Sequence, residues 1–130
     1  MAYLEQEARI LIIEAGHRLL EENLIARTWG NISARISDTE CIITPSGRAY
    51  DTLRPEDLVK VDIHSGRSEG HYKPSSEKGV HMAAYCLRDD VDFVIHTHQF
   101  YASAVCAEGA DTPFAPCAAY GLPGSQKLQN

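Results

Sequence analysis

The pattern of apolar and polar residues predicts a long amphipathic helix near the start of the chain. From about Leu4 to Asn23, apolar side chains recur at intervals of three and four residues, with charged side chains between them. This spacing places the apolar positions on one face of a helix. They are Leu4, Ala8, Leu11, Ile12, Ala15, Leu19 and Leu20.

Three shorter segments predict strands. Apolar and polar residues alternate in NISARI (31–36), which is typical of a strand with one buried face. The apolar segment CIIT (41–44) follows after a polar turn, so these two strands are expected to form an antiparallel hairpin. The stretch from Leu58 to Ile63 alternates again and ends in a turn.

The second half of the chain predicts further helices and one more strand. A helix is expected from Ser76 to about Leu87, capped by Ser75 or Ser76, with an apolar stripe of Val80, Ala83, Ala84 and Leu87. A strand from Val91 to His98 and a third helix over residues 100–106 follow. Helices interspersed with hairpin strands predict one mixed α/β domain with a largely antiparallel sheet.

Charge and cysteine content exclude several classes of protein. The formal net charge is −6, and no Lys/Arg cluster stands out, so nucleic acid and anionic membranes are not expected partners. No apolar run is long enough to span a bilayer, and the N-terminus has no secretory pattern. The four cysteines lie far apart, which favours reduced thiols in a cytoplasmic protein.

Two histidines, His96 and His98, lie one residue apart in the segment VIHTHQ (94–99). Side chains two residues apart in a strand point to the same face, so both imidazoles are expected side by side. Burying two imidazoles without partners is costly, and imidazole suits zinc and similar divalent ions. The pair therefore indicates a metal site about as readily as two packed core histidines, although a catalytic zinc needs a third protein ligand.

Glu77 is the candidate for a further ligand. It opens the predicted second helix, which leads back to the histidine strand, so its carboxylate could approach the same point. A carboxylate at a helix N-terminus also interacts favourably with the helix dipole, and this ordinary role stays open. His81 lies one helical turn later on the same face. We interpret His81 as a packed or surface histidine rather than as a ligand.

Two hydroxyl-rich segments are suited to an anion. TPSG (44–47) and PSSE (74–77) each combine serine with a turn or a helix N-terminus, where backbone N–H groups can hold a phosphate. The pair Gly30-Asn31 could add a close backbone approach and an amide donor. Each of these is also an ordinary turn or capping residue, so only their joint presence indicates a phosphate pocket.

Four motifs, in order and in register, resemble the class II aldolase/adducin family. The likeness covers the chain from the first helix to about residue 107 and implies a single domain over 1–130, with α/β/α layers around a mostly antiparallel sheet. It also implies a homotetramer with active sites between subunits. The motifs are TWGNIS (28–33), ITPSGRAYDTL (43–53), KPSSEKGVHMAAY (73–85) and DVDFVIHTHQFYASA (90–104).

The resemblance assigns roles to the candidate residues. It implies that Glu77, His96 and His98 bind a divalent ion, most readily zinc, and that Glu77 also moves a proton in catalysis. The implied reaction is cleavage of a ketose 1-phosphate, such as L-fuculose 1-phosphate, to dihydroxyacetone phosphate and a short aldehyde. The implied pocket for the substrate phosphate consists of Gly30, Asn31, Ser46, Gly47, Ser75 and Ser76.

The same family contains other activities. Ribulose-phosphate 4-epimerases resemble this chain but carry aspartate after the paired serines, so Glu77 favours the aldolases. A thioribulose-phosphate dehydratase and the adducins, which are cytoskeletal proteins, also belong to the family. An adducin-like protein is expected to have lost the metal histidines, and this chain retains two.

Two expected groups have no match in the sequence. No histidine follows His98 that could serve as the third metal histidine, and we do not assign the proton-donating tyrosine to Tyr120. Family members run well beyond 130 residues, so we expect the C-terminal part of the family domain to be missing and a sheet edge to be exposed. The alternative to a working aldolase is a catalytically inactive member that acts in assembly or binding.

Overall fold

The computed structural model describes residues 2–25, 28 and 30–97, which belong to one compact unit spanning Met1–Thr97. This part of the chain contains two helices, a short 3-10 helix and five strands. In order they are α1 (Glu5–Glu21), β1 (Asn31–Arg35), β2 (Glu40–Ile43), the 3-10 helix (Pro55–Asp57), β3 (Val59–Asp62), β4 (Ser68–Glu69), α2 (Lys78–Leu87) and β5 (Phe93–His96).

The five strands form a sheet in which every pairing is antiparallel, in the order β4-β3-β2-β1-β5. The predicted β1–β2 hairpin is confirmed, with Ser33 opposite Ile43. On its other side β1 pairs with β5, so that Asn31 lies opposite His96. The central position of β1 thus brings the Gly30-Asn31 pair next to the histidine strand.

Helices cover both faces of the sheet, as the predicted α/β/α layering requires. Residues of α1 pack against one face in an aliphatic cluster, and α2 packs against the other. The α1-side cluster contains Ala8, Ile12, Leu19, Ile25, Ile32, Ala34, Ile42, Tyr50, Leu53 and Leu58. The α2-side cluster contains Cys41, Ile43, Val59, Val61, Ile63 and Tyr85.

The prediction that β1 has only one buried face is wrong. All five of its residues are buried, including the polar Asn31, Ser33 and Arg35. Because β1 lies inside the sheet and α2 covers its polar side, these residues are enclosed and bond to groups of α2 and β5. The alternation therefore marks two buried faces of different chemistry.

The apolar stripe predicted for the second helix is correct at Val80 and wrong at Leu87. The residues of α2 that are buried are Val80, His81 and Tyr85, whereas Leu87 is 73% exposed. No side chain caps α2: Glu77 holds the N-cap position, and Ser75 Oγ accepts a hydrogen bond from the Glu77 backbone N–H at 3.2 Å. The face of α2 that packs on the sheet is the one that can hydrogen-bond to Ser33 and Asn31.

The observed β5 is shorter than predicted and lies at one edge of the described sheet. Its residues are partly buried, and Ile95 is exposed. The predicted helix over residues 100–106 lies outside the described residues. The sequence patterns did not predict β4 or the 3-10 helix. Among the described residues, no helix is long and apolar enough to cross a membrane.

Candidate metal and substrate site

The structure brings Glu77 and His96 together. Glu77 precedes α2, and His96 ends β5; the distance between Glu77 Oε2 and His96 Nδ1 is 3.2 Å. Both side chains are largely enclosed, with 23% and 13% of their surface exposed. His98, the third predicted ligand, lies outside the described residues, so its role stays a prediction.

The two groups fit a divalent ion by their chemistry and spacing. Carboxylate oxygen and imidazole nitrogen are usual zinc ligands, and bonds of about 2.0–2.2 Å place neighbouring tetrahedral ligands about 3.4 Å apart. The 3.2 Å separation is close to that value. Within residues 2–25, 28 and 30–97, no group of three or more His, Cys, Asp or Glu side chains could hold a metal ion. The described part thus contains two candidate ligands.

Asn31 joins these two groups. Its Nδ2 donates a hydrogen bond to Glu77 Oε2 at 2.5 Å, and its Oδ1 lies 3.3 Å from His96 Nδ1. Gly30-Asn31 was predicted to contact a substrate phosphate. The observed contacts of the Asn31 side chain are to the candidate metal ligands.

His81 lies behind Asn31 and is fully buried. Its Nε2 bonds to Asn31 Oδ1, and its Nδ1 lies 2.6 Å from Ser33 Oγ. Burial, with a smaller effect of His96, lowers the pKa of His81 from 6.5 to about 3, so the imidazole is neutral near pH 7. This agrees with its interpretation as a packed histidine.

The two hydroxyl-rich segments lie side by side. Pro45 and Pro74 form an isolated antiparallel bridge; the Ser46 N–H donates to the Lys73 carbonyl at 2.9 Å, and the Ser75 N–H donates to the Thr44 carbonyl at 3.0 Å. These two amides therefore hold the segments together, and the phosphate-binding role of the segments stays a prediction. Ser46, Gly47 and Ser76 are exposed, whereas Ser75 is buried.

Gly30 occupies a position that other residues would strain. Its φ is +85°, and a Cβ atom built on it would lie 2.9 Å from the carbonyl oxygen of His96. The Gly30 carbonyl accepts a hydrogen bond from Tyr50 Oη at 2.7 Å. Burial raises the pKa of Tyr50 to about 12, so the phenol stays protonated and can donate this bond.

Sequence reasoning missed several residues of this region. Tyr50, Ser33 and Tyr85 had no predicted role. Arg48 was also missed; its guanidinium carbon lies 3.9 Å from the centre of the Tyr72 ring, a cation–π contact that joins the two hydroxyl-rich regions. Only the alternation of polar residues in β1 could have indicated the buried network around Ser33.

Comparison with known proteins finds one family whose model matches most of the chain. The model of the class II aldolase and adducin N-terminal domain matches residues 10–128. An L-ribulose-5-phosphate 4-epimerase from Salmonella typhi is 36% identical over 111 residues, which cover 83% of this chain and 48% of that protein. The chain thus spans about half the length of the curated relatives it matches.

Solved structures give the same picture. A structure of an L-fuculose 1-phosphate aldolase aligns with a TM-score of 0.73 at 34% identity and covers 80% of this chain and 50% of that one. A second such aldolase, from Thermus thermophilus, aligns with a TM-score of 0.61 at 32% identity, covering 72% of this chain and 47% of that one. Aldolase and epimerase relatives are thus similar to this chain to almost the same degree.

Proposed function

The chain belongs to the class II aldolase and adducin family, and on this premise we propose that it functions as a metal-dependent aldolase. The proposed reaction cleaves a ketose 1-phosphate, such as L-fuculose 1-phosphate, to dihydroxyacetone phosphate and a short aldehyde. We place the enzyme in the cytoplasm, as a homotetramer. The observation that carries the proposal is the approach of Glu77 Oε2 to His96 Nδ1, with Asn31 Nδ2 hydrogen-bonded to Glu77.

Glu77, His96 and His98 would hold the ion in this proposal, most readily zinc. A bound divalent ion would act as a Lewis acid that polarises the substrate carbonyl. The protein contributes ligands from a helix N-terminus and a strand end, both held by secondary structure. The hydrogen bond from Asn31 Nδ2 to Glu77 Oε2 is of the kind that orients a metal ligand.

Glu77 is the proposed acid–base group. Cleavage of the carbon–carbon bond leaves negative charge on a carbon of the phosphorylated fragment, and that carbon must be protonated. The substrate hydroxyl on the departing fragment releases its proton as it becomes the aldehyde carbonyl. Glu77 Oε2, displaced from the ion by the substrate, would take up a proton and deliver it to the negatively charged carbon. The Asn31 Nδ2–H bond fixes the position of that oxygen, and the partial burial of Glu77 limits competition from water.

The proposed phosphate pocket consists of Gly30, Asn31, Ser46, Gly47, Ser75 and Ser76. The Pro45–Pro74 bridge supports it, because it places the two serine segments side by side. The nearby Arg48 and Lys73 add positive charge next to these segments in a chain of net negative charge. Such a site would favour a phosphorylated sugar over its neutral counterpart.

A second candidate is a 4-epimerase acting on a sugar phosphate. It is favoured by the 36% identity to L-ribulose-5-phosphate 4-epimerases. Glu77, where those enzymes are expected to carry aspartate, favours the aldolase. A third possibility is a non-catalytic member that acts in assembly or binding.

Two assays on the purified chain with added zinc distinguish these candidates. Release of dihydroxyacetone phosphate from L-fuculose 1-phosphate, followed by coupled reduction, supports the aldolase. Conversion of L-ribulose 5-phosphate to its 4-epimer, followed by NMR, supports the epimerase. We expect Glu77→Gln to reduce aldolase kcat by roughly 10²–10⁴-fold, and Glu69→Gln, a change of the same type at an exposed strand position, to leave it unchanged.

Metal content gives an independent readout. We expect elemental mass spectrometry to find bound zinc in the wild-type chain and to find it lost in His96→Ala. Absence of zinc from both, together with no product in either assay, would contradict the enzymatic proposals and leave the non-catalytic one.

A further inference from the structure

A chain of hydrogen bonds runs through the buried space between β1 and α2 and ends at Glu77. It joins Tyr85 Oη to Ser33 Oγ at 2.7 Å, Ser33 Oγ to His81 Nδ1 at 2.6 Å, and Asn31 Nδ2 to Glu77 Oε2 at 2.5 Å. Between these, His81 Nε2 bonds to Asn31 Oδ1. In the part of the chain that the structure describes, no buried side-chain nitrogen or oxygen lacks a partner.

The charge of Glu77 determines the direction of the bonds nearest to it. An ionised carboxylate accepts hydrogen bonds but cannot donate them. Asn31 must therefore present its Nδ2–H to Glu77 and its Oδ1 to His81. Because an amide oxygen only accepts, His81 Nε2 must carry the proton.

The remaining bonds follow from this tautomer. With its proton on Nε2, the neutral His81 ring accepts at Nδ1, so Ser33 Oγ donates to it. Ser33 then accepts from the phenol of Tyr85. Burial raises the pKa of Tyr85, which keeps this phenol protonated and able to donate. The five groups thus form one directed chain in which each donor has an acceptor.

We propose that His81 is a positioning residue that fixes the amide orientation of Asn31 and thereby the carboxylate of Glu77. Rotating the amide by half a turn would place Oδ1 against the Glu77 carboxylate and Nδ2 against the Nε2–H of His81. Both contacts would then be repulsive. The inference rests on the proposed function, because the roles of Glu77 and His96 as metal ligands come from it.

The hydrogen-bond order is testable without any catalytic assay. Long-range ¹H–¹⁵N spectra of the full chain distinguish the tautomers of its histidines, and the His81 signal is identified by its loss in His81→Gln. We expect a neutral His81 with its proton on Nε2 at pH 7. A proton on Nδ1, or a doubly protonated ring, would overturn the proposal.

Zinc affinity tests the consequence of this order. Glutamine can place an amide N–H near the position of Nε2, whereas leucine fills space without donating. We expect His81→Leu to weaken zinc binding by roughly 10- to 100-fold, and His81→Gln to retain affinity within about threefold of the wild type (~0.6 kcal/mol). His17→Gln, a histidine change on the exposed side of α1, is the matched control.

The outcomes separate this inference from the proposed function. If His81→Leu folds and binds zinc as the wild type does, the positioning role is wrong. If His81→Leu does not fold, a loss of zinc affinity in folded His81→Gln would overturn the role. Retained affinity in His81→Gln, together with the Nε2–H tautomer in the wild type, would support it. If the wild type binds no zinc, the proposed function fails, and the tautomer alone decides the hydrogen-bond order.

Discussion

The two faces of β1 bury side chains of opposite chemistry. Toward α1 the strand presents Ile32 and Ala34, which pack in the α1-side cluster. Toward α2 it presents Asn31, Ser33 and Arg35, each hydrogen-bonded to a group brought by α2 or by the segment after it. Burial on the first face depends on volume, whereas burial on the second depends on partners. The candidate site lies on the second face.

Arg35→Ala tests this difference most strongly. The guanidinium donates to the carbonyls of Tyr85, Arg88 and Val91 at 2.9–3.0 Å, so its removal leaves three buried or partly buried acceptors without a donor. We expect a loss of about 3–5 kcal/mol in the free energy of unfolding, measured with urea. Arg18→Ala, in an exposed ion pair, is the control and is expected to change it by less than about 1 kcal/mol. Equal effects would contradict the comparison.

The pH dependence of stability tests His81. Because burial lowers the pKa of His81 from 6.5 to about 3, the unfolded chain binds a proton below pH 6.5 that the folded chain does not. The contribution of neutral His81 to the free energy of unfolding is complete above pH 6.5. It is lost as the pH falls toward 3, by about 1.4 kcal/mol per pH unit. Between pH 7 and 5 we expect the wild type to lose about 2 kcal/mol more than His81→Gln. If the free energy of unfolding falls equally with pH in the two proteins, the pKa of His81 is not lowered in the folded state.

Moving one hydroxyl across β1 compares the faces directly. Ser33→Ala removes the group that links His81 to Tyr85, and Ala34→Ser places a hydroxyl among apolar side chains. We expect each change to reduce the free energy of unfolding by about 1–3 kcal/mol, for opposite reasons. Only Ser33→Ala is expected to change the His81 ¹⁵N signal. A changed signal in Ala34→Ser would show that the two faces are not independent.

Ile32→Val gives the smallest expected effect. It removes one methylene group from the aliphatic face. We expect it to lower the free energy of unfolding, measured by thermal unfolding, by about 0.5–1.5 kcal/mol. Because Ile32 points away from the site, zinc affinity is expected to stay at the wild-type value. A change in zinc affinity would mean that packing on the α1 side also positions the ligands.

Elements with simple periodicity were predictable from the sequence. The 3.6-residue spacing predicted α1 within two residues at each end. The alternation predicted β1 and β3, and the apolar segment CIIT predicted β2. The approach of Glu77 to His96 was expected from a helix that leads back to a strand, and the described geometry agrees. Only one of the two histidines in VIHTHQ lies among the described residues, so their pairing on one ion stays a prediction.

Features that depend on tertiary partners were not predictable. The buried face of α2 contains His81 and Tyr85, which a stripe of apolar residues does not identify, because their burial requires acceptors and donors on β1. In the same way, β1 was interpreted as half-buried, since polar residues usually face water. Both errors have one cause: the sequence pattern records side-chain polarity but not the hydrogen bonds that satisfy it.

The bridge between Pro45 and Pro74 has a consequence for the order of folding. It joins segments separated by almost thirty residues, and α2 follows directly after the second segment. Closing so long a loop costs entropy that only later contacts repay, so we expect the β1–β2 hairpin to form before the serine segments meet. A ligand that binds both segments would then slow unfolding more than it speeds folding, because the contacts it needs form late.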